Sequence, residues 1–588
     1  MKSFFKYVLA TITGIVISTF ILLAIFVGII TSMVSSVGSS KEVVVAKNSV
    51  LYLSLNFPIT DRTEPNPFGD LSIPGYGNVK SLGLNDIVGR IRGAKEDSNI
   101  KGIYLNPTTI QTGFSSLQAI RDALLDFKSS GKFIYAYSDV YSQKAYYLAS
   151  VADKIYVNPQ GSLDFRGLAS SVMFMKDALD KIGVEMQVIK VGTYKSAVEP
   201  FLMNQMSDAN RLQVNSYLNS IYSQFLTDIS DNRNIAVDSL KSIANNYLIR
   251  NADDALTYKF VDGVKYKDEL LAEFREKLGI DAKKDIPTVS ILDYTPTENV
   301  SSSSERIAVL YAYGSIVDGE GVVGEIGGDK FSRELRKLRL DDRVKAVVLR
   351  VNSGGGSGLA SEIIWREVSL LKAVKPVIVS MGDYAASGGY YIAAAADSIF
   401  ADETTLTGSI GVFGVIPNLQ GLLNNKLGLN FDVVKTGKFA DVGADPDKPL
   451  SAEEKAIYQI EVNRFYDLFM KRVADGRKIS IAQVDSIGQG RVWTGQQALG
   501  LGLVDKIGGI DQAIAAAAKK ANLDSYKISN YPSVDDTFSS ILSTSKEKIK
   551  LWFIEDEVGE YHKYLKSYKD ILNQTGIQAK IPYTVEIY

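Results

Sequence analysis

The chain of 588 residues contains no cysteine and a single histidine, His562. Without cysteine there is no thiol nucleophile, no disulfide framework, no cysteine-ligated zinc and no iron–sulfur cluster. One histidine excludes a multi-histidine metal site. A Ser-His-Asp triad would have to use His562, close to the C-terminus, and no catalytic role is assigned to it. A hydrolase built from this chain therefore needs another base. An excess of one charge is also missing. The 65 Lys and Arg against 67 Asp and Glu leave a net charge of −2, so no broad basic field exists to hold a nucleic-acid backbone. Apolar residues at 46% and charged residues at 22% are ordinary for a globular fold.

One stretch lacks charge altogether. Lys2 and Lys6 precede residues 7–40, which carry none. The apolar part, 7–34, would form roughly 42 Å of helix at about 1.5 Å per residue, enough to cross a ~30 Å hydrocarbon core with tilt. A cleavable signal has an apolar region of only about 7–15 residues. The expectation is an uncleaved anchor over residues 1–40. Positive charge before the span puts the N-terminus in the cytoplasm and the rest outside it.

What is present is one unit written twice. At an offset of 244, Lys101, Leu105, Tyr146, Tyr147, Ala149, Ala152, Asp153 and Ile155 match Lys345, Leu349, Tyr390, Tyr391, Ala393, Ala396, Asp397 and Ile399. The same offset returns for Ser207, Tyr222, Phe225, Asp231, Arg233 and Ile235. In between, Gly183, Val188, Lys190 and Gly192 match Gly428, Val433, Lys435 and Gly437 at 245; later, Ala255, Val261 and Asp262 match Ala498, Val504 and Asp505 at 243. Solenoid repeats have periods of about 20–50 residues, so this is a duplicated domain. The expected units are 45–285 and 306–524, with a linker at 286–305 and a C-terminal extension at 525–588. In the second unit, 344–351, 377–380 and 398–401 read as strands. Residues 359–373, 390–396 and 452–473 read as helices, with 209–229 the partner of the last. Strand–helix–strand at this spacing means right-handed crossovers in an α/β fold.

Three segments carry chemistry. Asn352-Ser353-Gly354-Gly355-Gly356-Ser357 joins a strand to a helix, and its amides can hold an anion: an oxyanion hole, a phosphate loop or a plain tight turn. Asp383-Tyr384-Ala385-Ala386-Ser387-Gly388-Gly389-Tyr390 can project the Ser387 hydroxyl as a nucleophile elbow does, although a helix N-cap is the commoner role for a serine. Thr193-Tyr194-Lys195-Ser196-Ala197-Val198-Glu199-Pro200 offers Lys195, which replaces histidine as a base when burial lowers its pKa. The repeat favours a joint reading. Register places Gln143 opposite Ser387 and Ala440 opposite Lys195, so each unit keeps the member the other lacks. One Ser-Lys site is expected at the seam between the units.

These residues resemble the signal peptide peptidase A (protease IV) family of bacterial membrane-anchored serine peptidases, in its long two-unit form. The likeness rests on residues 194–201, Arg350 to Ser357, Ala386-Ser387-Gly388-Gly389-Tyr390-Tyr391 and Thr407-Gly408-Ser409-Ile410-Gly411-Val412. It implies a tandem of ClpP/crotonase-like domains, Ser387 as nucleophile and Lys195 as general base. It also implies oxyanion donors from Gly355, Gly356 and Gly388, no cofactor or metal, and cleavage of released signal peptides. The implied location is the bacterial inner membrane with the catalytic part outside the cytoplasm, in a homotetramer. Ser409 holds the place of a family serine near the lysine amine, where its hydroxyl can accept from Lys195 and aim it at Ser387; the bland alternative is a helix-cap serine. One departure is visible: the family's Ser-Pro-Gly-Gly is Ser353-Gly354-Gly355-Gly356 here, so that loop has more conformational freedom. Two rival readings are a crotonase-like acyl-CoA enzyme and an inactive membrane-tethered scaffold.

Overall fold

The structure, a computed structural model, describes residues 44–63, 81–297, 303–443, 447–533 and 576–581, with 586–587 and scattered residues from 6 to 24. Most of the N-terminal run, and His562, lie outside the described residues. Among the described residues no helix is long and apolar enough to cross a membrane.

Each unit is built on a sheet flanked by helices, all parallel in the first unit and parallel but for the edge strand Val492–Thr494 in the second. The first sheet runs in the order Gly263–Val264, Lys154–Leu163, Phe133–Tyr141, Ile100–Leu105, Ser49–Leu53, Thr288–Ser290. The second runs Val492–Thr494, Leu406–Gly408, Val377–Ala386, Val344–Ser353, Arg306–Tyr313, Lys527–Tyr531, with Ser398–Ala401 and Lys506–Ile507 branching from Val377–Ala386. Val344–Ser353 is buried almost throughout because helices cover both of its faces. Two edge strands come from stretches read as linker and extension. Thr288–Ser290 pairs with Ser49–Leu53, and Lys527–Tyr531 with Arg306–Tyr313. Both are too short to show an alternating pattern.

The repeat is visible bond by bond. Asp153 accepts from Ile134 N–H (2.8 Å) and Asp397 from Val377 N–H (2.9 Å). Asp262 accepts from Ile155 N–H (2.8 Å) and Asp505 from Ile399 N–H (2.7 Å). Tyr146 and Tyr390 hydroxyls each donate to a backbone carbonyl, of Phe260 and Leu503. The long helices Asp208–Arg233 and Ala452–Arg477 start on equivalent caps, Ser207 accepting from Asn210 N–H and Ser451 from Glu454 N–H. The repeated sequence positions are thus those that terminate strands, cap helices and fix the packing of each sheet.

A third, mixed sheet joins the units. Its order is Glu325–Gly327, Ser315–Val317, Gly355–Ser357, Ile577–Lys580, Val412–Asn418, Glu185–Val191. Glu185–Val191 belongs to the first unit and lies antiparallel to Val412–Asn418 of the second, from Val191↔Val412 to Glu185↔Asn418. The strand leading to Lys195 is thereby paired with the strand that follows Ser409. The seam is also polar. Arg350 reaches Asp61 at 3.0 Å with both side chains buried, and Ser116 gives Asp383 its N–H (2.9 Å) and its hydroxyl (2.7 Å).

Candidate active site

Ser387 stands between Val377–Ala386 and the helix Gly388–Ala393. It holds φ 56° and ψ −115°, a left-handed conformation that costs a non-glycine residue about 1–3 kcal/mol. Its backbone is fixed from both sides, N–H to Gly408 O (2.8 Å) and O from Tyr391 N–H (2.8 Å). Ser387 occupies the cap position of the helix, yet its side chain makes no capping bond. The hydroxyl is left for other work.

Lys195 arrives from the first unit just before the short turn Ser196–Val198. Its Nζ lies 2.8 Å from Ser387 Oγ, 3.1 Å from Ser409 Oγ and 3.3 Å from Ser409 O. Lys195, Ser387 and Ser409 are all fully buried. Burial alone drives the lysine pKa well below its ordinary value. The amine has further company from the Phe413 ring, 5.9 Å away. Ser409 is not a helix cap; it lies between the strands Leu406–Gly408 and Val412–Asn418 at φ 50°.

The expected oxyanion glycines gather on the other side of Ser387. Gly355 takes φ 94° within the strand Gly355–Ser357, and a Cβ there would stand 2.6 Å from Gly388 N. The Gly355 N–H donates to Ser353 Oγ (3.1 Å), and Ser353 Oγ donates to Gly314 O (2.6 Å), so the loop with the extra glycine is pinned. The Ala579 carbonyl oxygen sits against the same glycines: a Cβ would meet it at 2.0 Å from Gly355 and 3.0 Å from Gly388. In the first unit the counterpart position is closed. Gln143 Oε1 accepts from Arg166 N–H (3.0 Å) and Gly167 N–H (3.1 Å), and its Nε2 donates to Gly167 O (2.9 Å).

The sequence profile of peptidase family S49 matches the chain twice, at residues 126–281 and 369–524. The chain belongs to peptidase family S49. Protease 4 of Salmonella typhi is 37% identical over 554 residues, covering 90% of this chain and 88% of that protein. Protease 4 of Haemophilus influenzae is 37% identical over 519 residues, 84% of this chain and 83% of that protein. The chloroplastic serine protease SPPA of Arabidopsis thaliana is 33% identical over 489 residues, 82% of this chain and 70% of that protein. As an S49 member it is a serine peptidase, which selects among the three readings open at the level of sequence.

Several residues of this S49 site carried no sequence signal. Gln213 accepts from Val492 N–H (3.2 Å), and its Nε2 donates to Ser196 Oγ (2.8 Å) and Tyr194 O (3.0 Å). It thus ties the lysine turn to the second unit. A Cβ on Gly490 would strike the Lys195 backbone at 2.6 Å, so glycine there lets the turn approach. The strand Ile577–Lys580 has neither length nor alternation to announce it.

Proposed function

We propose that this S49 peptidase cleaves extended peptides, signal peptides among them, by acyl transfer at a Ser387–Lys195 dyad. The observation that carries the reading is the 2.8 Å approach of Lys195 Nζ to Ser387 Oγ in a fully buried setting. A neutral lysine has two N–H bonds and one lone pair. The two oxygens of Ser409 accept the N–H bonds, which leaves the lone pair for the Ser387 hydroxyl. Ser387 Oγ attacks the peptide carbonyl carbon while its proton passes to Nζ. The oxyanion faces the Gly388 amide and the strand of Gly355 and Gly356; one such donor contributes roughly 3–4 kcal/mol. The lysine ammonium then protonates the leaving amine, and water repeats the sequence on the acyl-enzyme.

The charge-free run after Lys2 and Lys6 supports an inner-membrane anchor with the tandem ClpP/crotonase-like domains outside the cytoplasm. An assembly of several chains, a homotetramer by resemblance, finds support in the repeat. Residues 430–436 repeat Glu185–Val191 in sequence but form no strand, and Val434 is 96% exposed where its counterpart Ile189 is 5% exposed, an apolar surface suited to a second copy.

Ser387→Ala and Lys195→Ala should each lower signal-peptide cleavage by about 10⁴-fold or more. Activity of the native enzyme should rise with pH as the buried amine loses its proton, then level. Full activity in either variant contradicts the dyad.

A further inference from the structure

Residues 489–492 of the second unit run between the lysine turn and the loop of Ser409, and they touch both. Toward the turn, Gln489 O accepts from Tyr194 N–H at 2.8 Å, and Gly490 packs directly on the Lys195 backbone. Toward the loop, Gly490 N–H donates to Ile410 O (2.7 Å), and Arg491 O accepts from Ser409 N–H (2.7 Å). The Arg491 guanidinium also lies over the Tyr194 ring, 4.9 Å from its centre. This one segment is therefore the spacer between the backbone of Lys195 and the backbone of Ser409.

The spacer ends at Val492, whose N–H donates to Gln213 Oε1 at 3.2 Å. Gln213 comes from the helix Asp208–Arg233 of the first unit and is 2% exposed. Its Nε2 lies 2.8 Å from Ser196 Oγ and 3.0 Å from Tyr194 O, on either side of Lys195. A further contact, to Asn210 Oδ1 at 3.1 Å, holds the amide itself. Asn210 Nδ2 in turn donates to buried Glu199 (2.9 Å), which also accepts from the N–H (3.2 Å) and hydroxyl (2.6 Å) of Ser207. One amide thus grips both flanks of the lysine and the end of the spacer that bears on Ser409. A carboxamide suits the place because it accepts and donates from one planar group. The repeat shows that this is no general feature of the fold. At the offset of 244 the counterpart of Gln213 is Ile457, 41% exposed, in the unit where Ala440 stands opposite Lys195.

We propose that Gln213 is a positioning residue of the peptidase reaction: it holds the lysine turn in register with the Ser409 loop, so that the Lys195 lone pair points at Ser387. This rests on the dyad reading above. None of the four bonds of Gln213 reaches Ser387 or the Lys195 amine, so it acts through the backbone on either side of the lysine. Lys195 Nζ must meet three oxygens at once, at 2.8, 3.1 and 3.3 Å, two of them on Ser409. A slip of the turn against the loop by about 1 Å breaks that set, and a misplacement of this size costs up to about 10²-fold in rate.

Gln497 supplies the control, because it joins the same helix to the same edge strand away from the lysine turn. Its Oε1 accepts from Thr494 N–H (3.0 Å), and its Nε2 donates to Ser216 Oγ (3.1 Å). Gln213→Met, which fills the space without the bonds, should lower kcat on a short peptide by about 10–100-fold. KM should stay within about twofold of native, and fluorophosphonate labelling of Ser387 should slow in step with kcat. Gln213→Glu, when ionised, keeps the acceptor for Val492 N–H but gives Tyr194 O no donor; it should lose kcat likewise, and it carries the test if Gln213→Met does not fold. Gln497→Met should keep kcat within about twofold of native. Native kcat in a folded Gln213 variant overturns the proposal. An equal loss in Gln497→Met also overturns it, because Gln213 is then one more contact of the seam. Failure of the dyad reading is separate: Lys195→Ala would then remain active. If only the positioning role fails, Lys195→Ala is inactive while both Gln213 variants are native.

Discussion

Lys195 is an expensive residue to bury, and its surroundings say what the cost is for. Among the described residues no carboxylate pairs with its amine: the partners are the hydroxyls of Ser387 and Ser409 and one carbonyl. With its pKa held well below the ordinary 10.5 by burial, the folded state releases a proton that the unfolded chain keeps. The sign follows from linkage. Between the depressed pKa and about 10.4 the unfolded state binds more protons, so stability rises with pH through that window. Lys195→Met, which fills the same space without a charge, should melt higher than the native enzyme near neutrality while being inactive. The gap should narrow as pH approaches 10.5; thermal unfolding followed at several pH values checks it. A gap independent of pH would mean that the native lysine is charged when folded. The strained Ser387 has the same logic, because its φ of 56° aims Oγ at Nζ and leaves it uncommitted to the helix behind it.

The elements that carry these residues were legible to different degrees. The helix expected at 359–373 is Gly358–Lys372, and that at 452–473 extends to Arg477. Apolar spacing and the Ser357 and Ser451 caps announce both. The helix expected at 390–396 begins earlier, at Gly388, directly after Ser387. The strand expected to stop at 380 runs on to Ala386. Gly382 and Asp383 break the apolar pattern, but Ser116 of the other unit satisfies the aspartate, and no local rule could supply that partner. The Ile577–Lys580 strand was illegible for the same reason, being four residues whose partners are Gly355–Ser357 and Phe413–Gly414, far away in sequence. The strands of the seam also set its strength. Arg350, on Val344–Ser353, meets Asp61 with both side chains under 5% exposed. Arg350→Met should destabilise the fold by about 3–5 kcal/mol, because Asp61 is left as an uncompensated buried charge. Asp61→Asn added to Arg350→Met should recover part of the loss in denaturant titrations; no recovery would mean that the pair acts through packing alone.

At the scale of the molecule, a duplicated domain has become one asymmetric site. The pairing of Ser387 with Lys195 was readable because the repeat placed Gln143 and Ala440 opposite them. What the repeat did not show is how the two loops meet. The answer is the ladder between Glu185–Val191 and Val412–Asn418, which carries the lysine of the first unit to the serine of the second within a single chain. Complementation between inactive chains tests this most directly. The native enzyme should take one fluorophosphonate per chain, at Ser387. A mixture of Lys195→Ala and Ser387→Ala chains, unfolded and refolded together, should take none, because neither chain holds both members. Labelling of Ser387 on the Lys195→Ala chain in that mixture would show the lysine of one copy serving the serine of another, and would contradict the account.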